Sequence, residues 1–141
     1  MSKKLLAFVV ILAMVAGGTT AYAETIRTNV PESGEIIIVP FWDYAQDVKP
    51  VISFTNSKYS GQIYGNSDVT KISMTVVLSV KNSNGTYSEV SRTSGSSNTN
   101  VITKSNSYYY VKGNTYKLTV TGQVYVGSSY ETVEKSITAT Y

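Results

Sequence analysis

Cysteine and histidine are both missing from the 141 residues. Their absence removes Ser-His and Cys-His nucleophilic dyads. It also removes the usual zinc sites and ligation of haem or copper through imidazole or thiolate. No disulfide staple is available, and neither is the thiol through which a lipoprotein anchor is attached. Charge is scarce, at 15% of residues, and no run of Lys or Arg forms the clustered basic face that nucleic acid requires. No Gly-rich loop opens onto a helix, so no nucleotide site is expected. Convincing helical apolar periodicity is absent throughout.

The apolar run of any length lies at the start. Met1-Ser2-Lys3-Lys4 leads into an apolar stretch from Leu5 to Ala16, followed by Ala21-Tyr22-Ala23. A basic segment, a short apolar core and a small-x-small site predict a signal peptide over residues 1–23, cleaved after Ala23. The alternative is a retained membrane anchor, but a span needs about 20 apolar residues. Cleavage would remove Lys3 and Lys4 and leave 10 basic against 9 acidic side chains. The predicted mature chain is thus nearly neutral, has no membrane anchor, and is expected to be secreted into the extracellular space.

What remains is rich in Ser, Thr, Val, Ile and Tyr, which suit a pleated sheet. Ile72, Met74, Val76, Leu78 and Val80 alternate with mostly polar residues, as do Tyr116, Leu118, Val120, Val124 and Val126. Each pattern predicts a strand with one buried face. Val133, Ile137, Ala139 and Tyr141 form a third, in which Lys135 shares the apolar face and marks an edge. Weaker strands are expected at 35–39, 51–54, 61–64, 86–93 and 101–111. Asn84-Gly85 reads as a hairpin turn with positive φ at both residues. Residues 24–33 read as a flexible arm, residues 94–100 as a mobile loop, and residues 34–141 as one all-β antiparallel sandwich of about seven strands.

Two resemblances add to this reading. Lys112-Gly113-Asn114-Thr115-Tyr116-Lys117-Leu118-Thr119-Val120 resembles the turn and strand F of fibronectin type III and related immunoglobulin-like domains. It implies an immunoglobulin-like fold with Tyr116 as a structural corner tyrosine. The core tryptophan of that pattern has no counterpart here, because Trp42 comes too early. Gly34-Glu35-Ile36-Ile37-Ile38-Val39-Pro40-Phe41-Trp42-Asp43-Tyr44, Val69-Thr70-Lys71-Ile72, Lys81-Asn82-Ser83-Asn84-Gly85-Thr86-Tyr87 and Tyr109-Tyr110-Val111-Lys112-Gly113-Asn114-Thr115-Tyr116 resemble a layout shared by small secreted proteins of Gram-positive, clostridia-like bacteria. That resemblance implies a common fold and export, with no activity attached.

Aromatic residues carry the functional signal, with 12 tyrosines and a single tryptophan. Trp42 and Tyr44 follow Pro40, and Tyr108, Tyr109 and Tyr110 lie in a row. Exposed rings stack on sugars and anchor protein interfaces; the competing assignment packs the same rings into the core. The expected site is one patch made of Trp42, Tyr44 and Tyr108 to Tyr110. The expected function is a non-catalytic binding module for a surface glycan or a protein, with no cofactor and no metal. Alternatives are a matrix protein assembling through β edges and, less favoured, a membrane-active antimicrobial factor. A glycosidase needs two carboxylates across a cleft; Asp43 and Asp47 are close in sequence, but a domain of this size seldom forms one.

Overall fold

The computed structural model describes residues 25–29 and 37–141, with side chains from Phe41 onward. The predicted signal peptide and its cleavage site lie outside the described residues. Strands β1 (Thr25–Asn29) and β2 (Ile37–Phe41) pair antiparallel as a sheet of their own. Part of the stretch expected to be a flexible arm is therefore a paired strand.

Seven further strands build the sandwich: β3 (Ala45–Ser53), β4 (Lys58–Gly65), β5 (Lys71–Lys81), β6 (Tyr87–Ser97), β7 (Val101–Ser107), β8 (Thr115–Val126) and β9 (Ser129–Thr140). They form a three-stranded sheet, β3-β4-β7, and a four-stranded sheet, β6-β5-β8-β9, with every pair antiparallel. Hairpins join β3 to β4, β5 to β6 and β8 to β9, while the connections β4–β5, β6–β7 and β7–β8 cross between sheets. This is an immunoglobulin-like sandwich whose fourth strand lies at the edge of the second sheet rather than the first.

Period-two alternation supplies the core. Ile72, Met74, Val76 and Leu78 on β5 and Tyr116, Leu118, Val120 and Val124 on β8 are buried, as are Val48, Tyr59, Ile63 and Val133. Each such side chain stabilises the fold by about 1.5–3 kcal/mol on burial. Close approach of the sheets depends on Gly61, where an added Cβ would stand 2.6 Å from Val120 Cγ2 and 2.7 Å from Val76 Cγ2. Tyr116 is buried, and its hydroxyl accepts a hydrogen bond from the Val111 N–H at 2.8 Å. That bond ties the start of β8 back to the preceding corner.

Two turns differ from expectation. At the β5–β6 hairpin only Gly85 has positive φ, at 86°. The connection is a three-residue loop, with the Gly85 N–H bonded to the Asn82 carbonyl at 3.0 Å and the Asn82 N–H to the Thr86 carbonyl at 2.7 Å. The Ser/Gly stretch expected to be a mobile loop continues β6 to Ser97, paired with β5. Pairing with an already formed strand overrides weak local preference.

All four sandwich edges carry devices against strand addition. β3 contains Pro50 and a bulge between Ala45 and Asp47. β6 is bulged opposite Leu78 and Ser79. On β7, Lys104 packs against Gly95 of β6. On β9, Lys135 reaches Asp47 of β3 at 3.7 Å.

Candidate functional site

The chain leaves β2 at Phe41 and enters β3 at Ala45, so residues 42–44 have no ladder partner. Their polar backbone groups need other partners. Glu131 on β9 provides them for the donors. Its Oε2 accepts the Asp43 N–H at 2.8 Å, and its Oε1 accepts the N–H groups of Tyr44 at 2.8 Å and Ala45 at 2.5 Å. Asn66 serves the acceptors. Its Nδ2 donates to the Asp43 carbonyl at 3.2 Å, and its backbone N–H donates to the Tyr44 carbonyl at 2.8 Å. The bonds to the Glu131 carboxylate are charge-assisted, and such bonds are about twice as strong as neutral ones. The aromatic segment is thereby pinned to the sandwich from both sides.

The pinned rings border a groove of about 450 Å³, lined also by Gln46, Asp47 and Lys135. Trp42 and Tyr44 are half-buried and pack against the core, while Phe41 keeps 42% of its surface exposed. Asp47 is bridged by Lys49 at 3.4 Å and by Lys135 at 3.7 Å. Exposed pairs like these add little stability, but they set a rim of polar groups beside the rings.

The structure does not bring the five predicted aromatic residues into one patch. Tyr108 to Tyr110 follow β7, where the Tyr108 N–H bonds the Ser57 carbonyl in the β3–β4 turn at 2.9 Å. Trp42 and Tyr44 precede β3. The two groups therefore occupy opposite ends of the sandwich, separated by the nine residues of β3, roughly 25–30 Å. Residues 108–110 also lie beyond the strand, so the alternation that would face them in opposite directions does not apply.

The tyrosine end is a packed cluster. Phe54 and Tyr110 meet edge to face at 5.0 Å, Tyr110 and Tyr116 at 5.0 Å, and Tyr108 and Tyr110 at 5.2 Å. Tyr141 stacks on Phe54 at 4.8 Å. Tyr110 is buried and donates its hydroxyl to the Lys58 carbonyl at 3.1 Å. Burial, together with the neighbouring phenols of Tyr59, Tyr116 and Tyr108, pushes its pKa up to about 12. Tyr108 is half-buried, and burial raises its pKa as well. Tyr109 is 85% exposed, and with Phe54 and Tyr141 it borders a groove of about 340 Å³ at this end.

Reasoning from sequence missed Glu131 and Asn66. Glu131 lies 88 residues from Asp43, and nothing local distinguishes it from any acid after a turn. Among the described residues no group of three His, Cys, Asp or Glu side chains is placed to hold a metal ion.

By topology and core, then, the chain is an immunoglobulin-like β-sandwich carrying a pinned aromatic groove at one end. No protein-family model, no curated protein and no solved structure matches it.

Proposed function

We propose that the protein is a secreted, non-catalytic binding module that takes a glycan in the groove beside Trp42. One observation carries this reading: Glu131 and Asn66 fix an aromatic segment, in advance of any ligand, against a groove with a polar rim. A sugar presents an apolar ring face and a rim of hydroxyls, and the groove is lined by both aromatic rings and polar side chains. A site fixed beforehand loses little entropy on binding. Export rests on the basic, apolar and small-x-small pattern of residues 1–23, and mass spectrometry of the released protein tests it by looking for an N-terminus at Glu24.

Assembly through β edges finds less support, because each sandwich edge carries a proline, a bulge or a lysine against its neighbouring strand. The resemblance of residues 34–141 to small secreted proteins of clostridia-like bacteria supports export and adds no activity.

The test is co-sedimentation with insoluble cell-wall polysaccharide, chitin and cellulose, comparing the parent with Trp42→Ala at matched circular dichroism. Retention by at least one polymer, lost in Trp42→Ala, is expected. Failure of the folded parent to bind any of them rules the glycan reading out.

A further inference from the structure

Charge is distributed unevenly between the two ends of the sandwich. At the Trp42 end, Asp43, Asp47, Asp68 and Glu131 are mixed with Lys49, Lys71 and Lys135. At the tyrosine end the register gathers Lys58, Lys81 and Lys117, and Lys112 lies in the turn before β8. Among the described residues the one acid placed toward that end is Glu89, opposite Ser79. Arg92 already holds both of its oxygens, at 2.9 and 2.7 Å. The tyrosine end therefore carries a positive field, although the predicted mature chain is nearly neutral as a whole.

The same end holds a groove of about 340 Å³, lined by Phe54, Ser57, Tyr109, Val111, Lys112 and Tyr141. Three of these are exposed apolar side chains: Tyr109 at 85%, Val111 at 51% and Tyr141 at 40%. Tyr109 makes no ring contact and no side-chain hydrogen bond among the described residues. The Lys112 ammonium stands 5.9 Å from the centre of the Tyr141 ring, a cation held over an aromatic face.

The groove walls are turns whose backbone donors are already taken. The N–H groups of Ser57, Tyr108, Gly113, Asn114 and Tyr141 bond carbonyls of the same end, and that of Val111 bonds the Tyr116 hydroxyl. Ser57 is held at φ 48°, in the left-handed region, with its carbonyl fixed by the Tyr108 N–H at 2.9 Å. A peptide bound by strand addition needs a free row of backbone groups, and this groove offers none. It presents side chains alone: rings and a lysine, with no uncommitted acid beside them. Rings match the apolar face of a sugar, and lysine ammonium groups match a carboxylate on it.

We propose that the tyrosine-end groove is a second ligand site, which takes an acidic glycan through Tyr109, Tyr141 and Lys112. The inference rests on the glycan reading of the module but uses none of the residues of the Trp42 groove.

Amide chemical-shift mapping of the isotope-labelled protein tests it. The probes are hexagalacturonate and hexamannuronate, their methyl esters, the neutral chitohexaose and cellohexaose, and hexaglutamate. At least one uronate is expected to shift the amides of Ser57, Tyr109, Lys112 and Tyr141, and to do so in Trp42→Ala as well. Its methyl ester, with the same rings and no charge, should bind at least about tenfold more weakly, and added salt should weaken the uronate. Tyr109→Ala and Lys112→Glu, both at exposed positions, should each weaken the uronate about tenfold or more. Lys81→Glu, at the same end but outside the groove, should weaken it less than about threefold. An ester that binds as well as its acid overturns the proposal. So does a loss in Lys81→Glu equal to that in Lys112→Glu, which would reduce the effect to diffuse attraction. Hexaglutamate binding here as tightly as the uronates overturns the sugar as occupant. Shifts confined to the residues around Trp42 overturn this site and leave the Trp42 groove standing. Silence at both places with every probe overturns this site and the glycan reading together.

Discussion

The two ends of the sandwich hold aromatic rings by different means. At the tyrosine end, rings hold rings. Phe54, Tyr108, Tyr110, Tyr116 and Tyr141 contact one another at centroid distances of 4.8 to 6.2 Å and close off the core. At the Trp42 end, a carboxylate and an amide hold the backbone on which the rings ride. Rings that pack on each other spend most of their surface on the fold, although a smaller groove of about 340 Å³ lies beside Phe54, Tyr109 and Tyr141. Rings positioned through their backbone keep a face open to the groove. The partners of an aromatic residue, more than the local density of such residues, decide whether it serves stability or binding.

Breaking the tyrosine end should affect folding most. Tyr116→Ala deletes a fully buried ring and its bond to Val111, and should destabilise the protein by about 3–5 kcal/mol in chemical denaturation. Tyr116→Phe keeps the ring and should cost about 1–2 kcal/mol through the unpaired Val111 N–H. Equal losses in the two variants would show that the hydroxyl bond, and not the packing, dominates this end.

Breaking the Trp42 end should affect binding more than folding. Glu131→Gln replaces one accepting oxygen with a donor facing backbone N–H groups. A loss of about 1.5–3 kcal/mol is expected, with Trp42 emission moving to the red as its segment loosens. Affinity for any glycan bound in the groove should fall about tenfold or more. Unchanged emission would show that Trp42 is held by core packing alone.

Alkaline pH sharpens the contrast, because it acts on the tyrosine end. The folded state favours the neutral Tyr110 phenol, so its pKa is raised to about 12 from the ordinary 10.0. The stabilisation this reflects is complete below pH 10 and disappears as pH rises toward 12. Stability should therefore fall across that window, on the order of 1–2 kcal/mol. The fall should be shallower in Tyr110→Phe.

The smallest effect belongs to the groove rim. Asp47→Asn removes two exposed ion pairs and should change stability by less than about 1 kcal/mol, with even that difference fading in high salt.

How much of this was legible in the chain follows from the range of the interactions. β5 and β8 could be read directly, because one buried face imposes strict alternation from Ile72 to Leu78 and from Tyr116 to Val124. The late half of β6 could not. Residues 94–97 have loop composition and are strands only because β5 lies beside them. The aromatic residues were visible as a set, yet their division between two ends depends on where β3 begins and β7 stops. Glu131 was invisible as a site residue, because its three partners lie 86 to 88 positions away.

The central claim is that Trp42 stands ready beside an open groove. The emission of this single tryptophan reports on it directly. Titrating solubilised cell-wall glycan into the protein should give a saturable shift in Trp42 emission, with the same midpoint as binding measured by calorimetry and a weaker midpoint in Glu131→Gln. Calorimetric binding that leaves Trp42 emission unmoved, or emission that no glycan alters, would contradict the account and return Trp42 to the core.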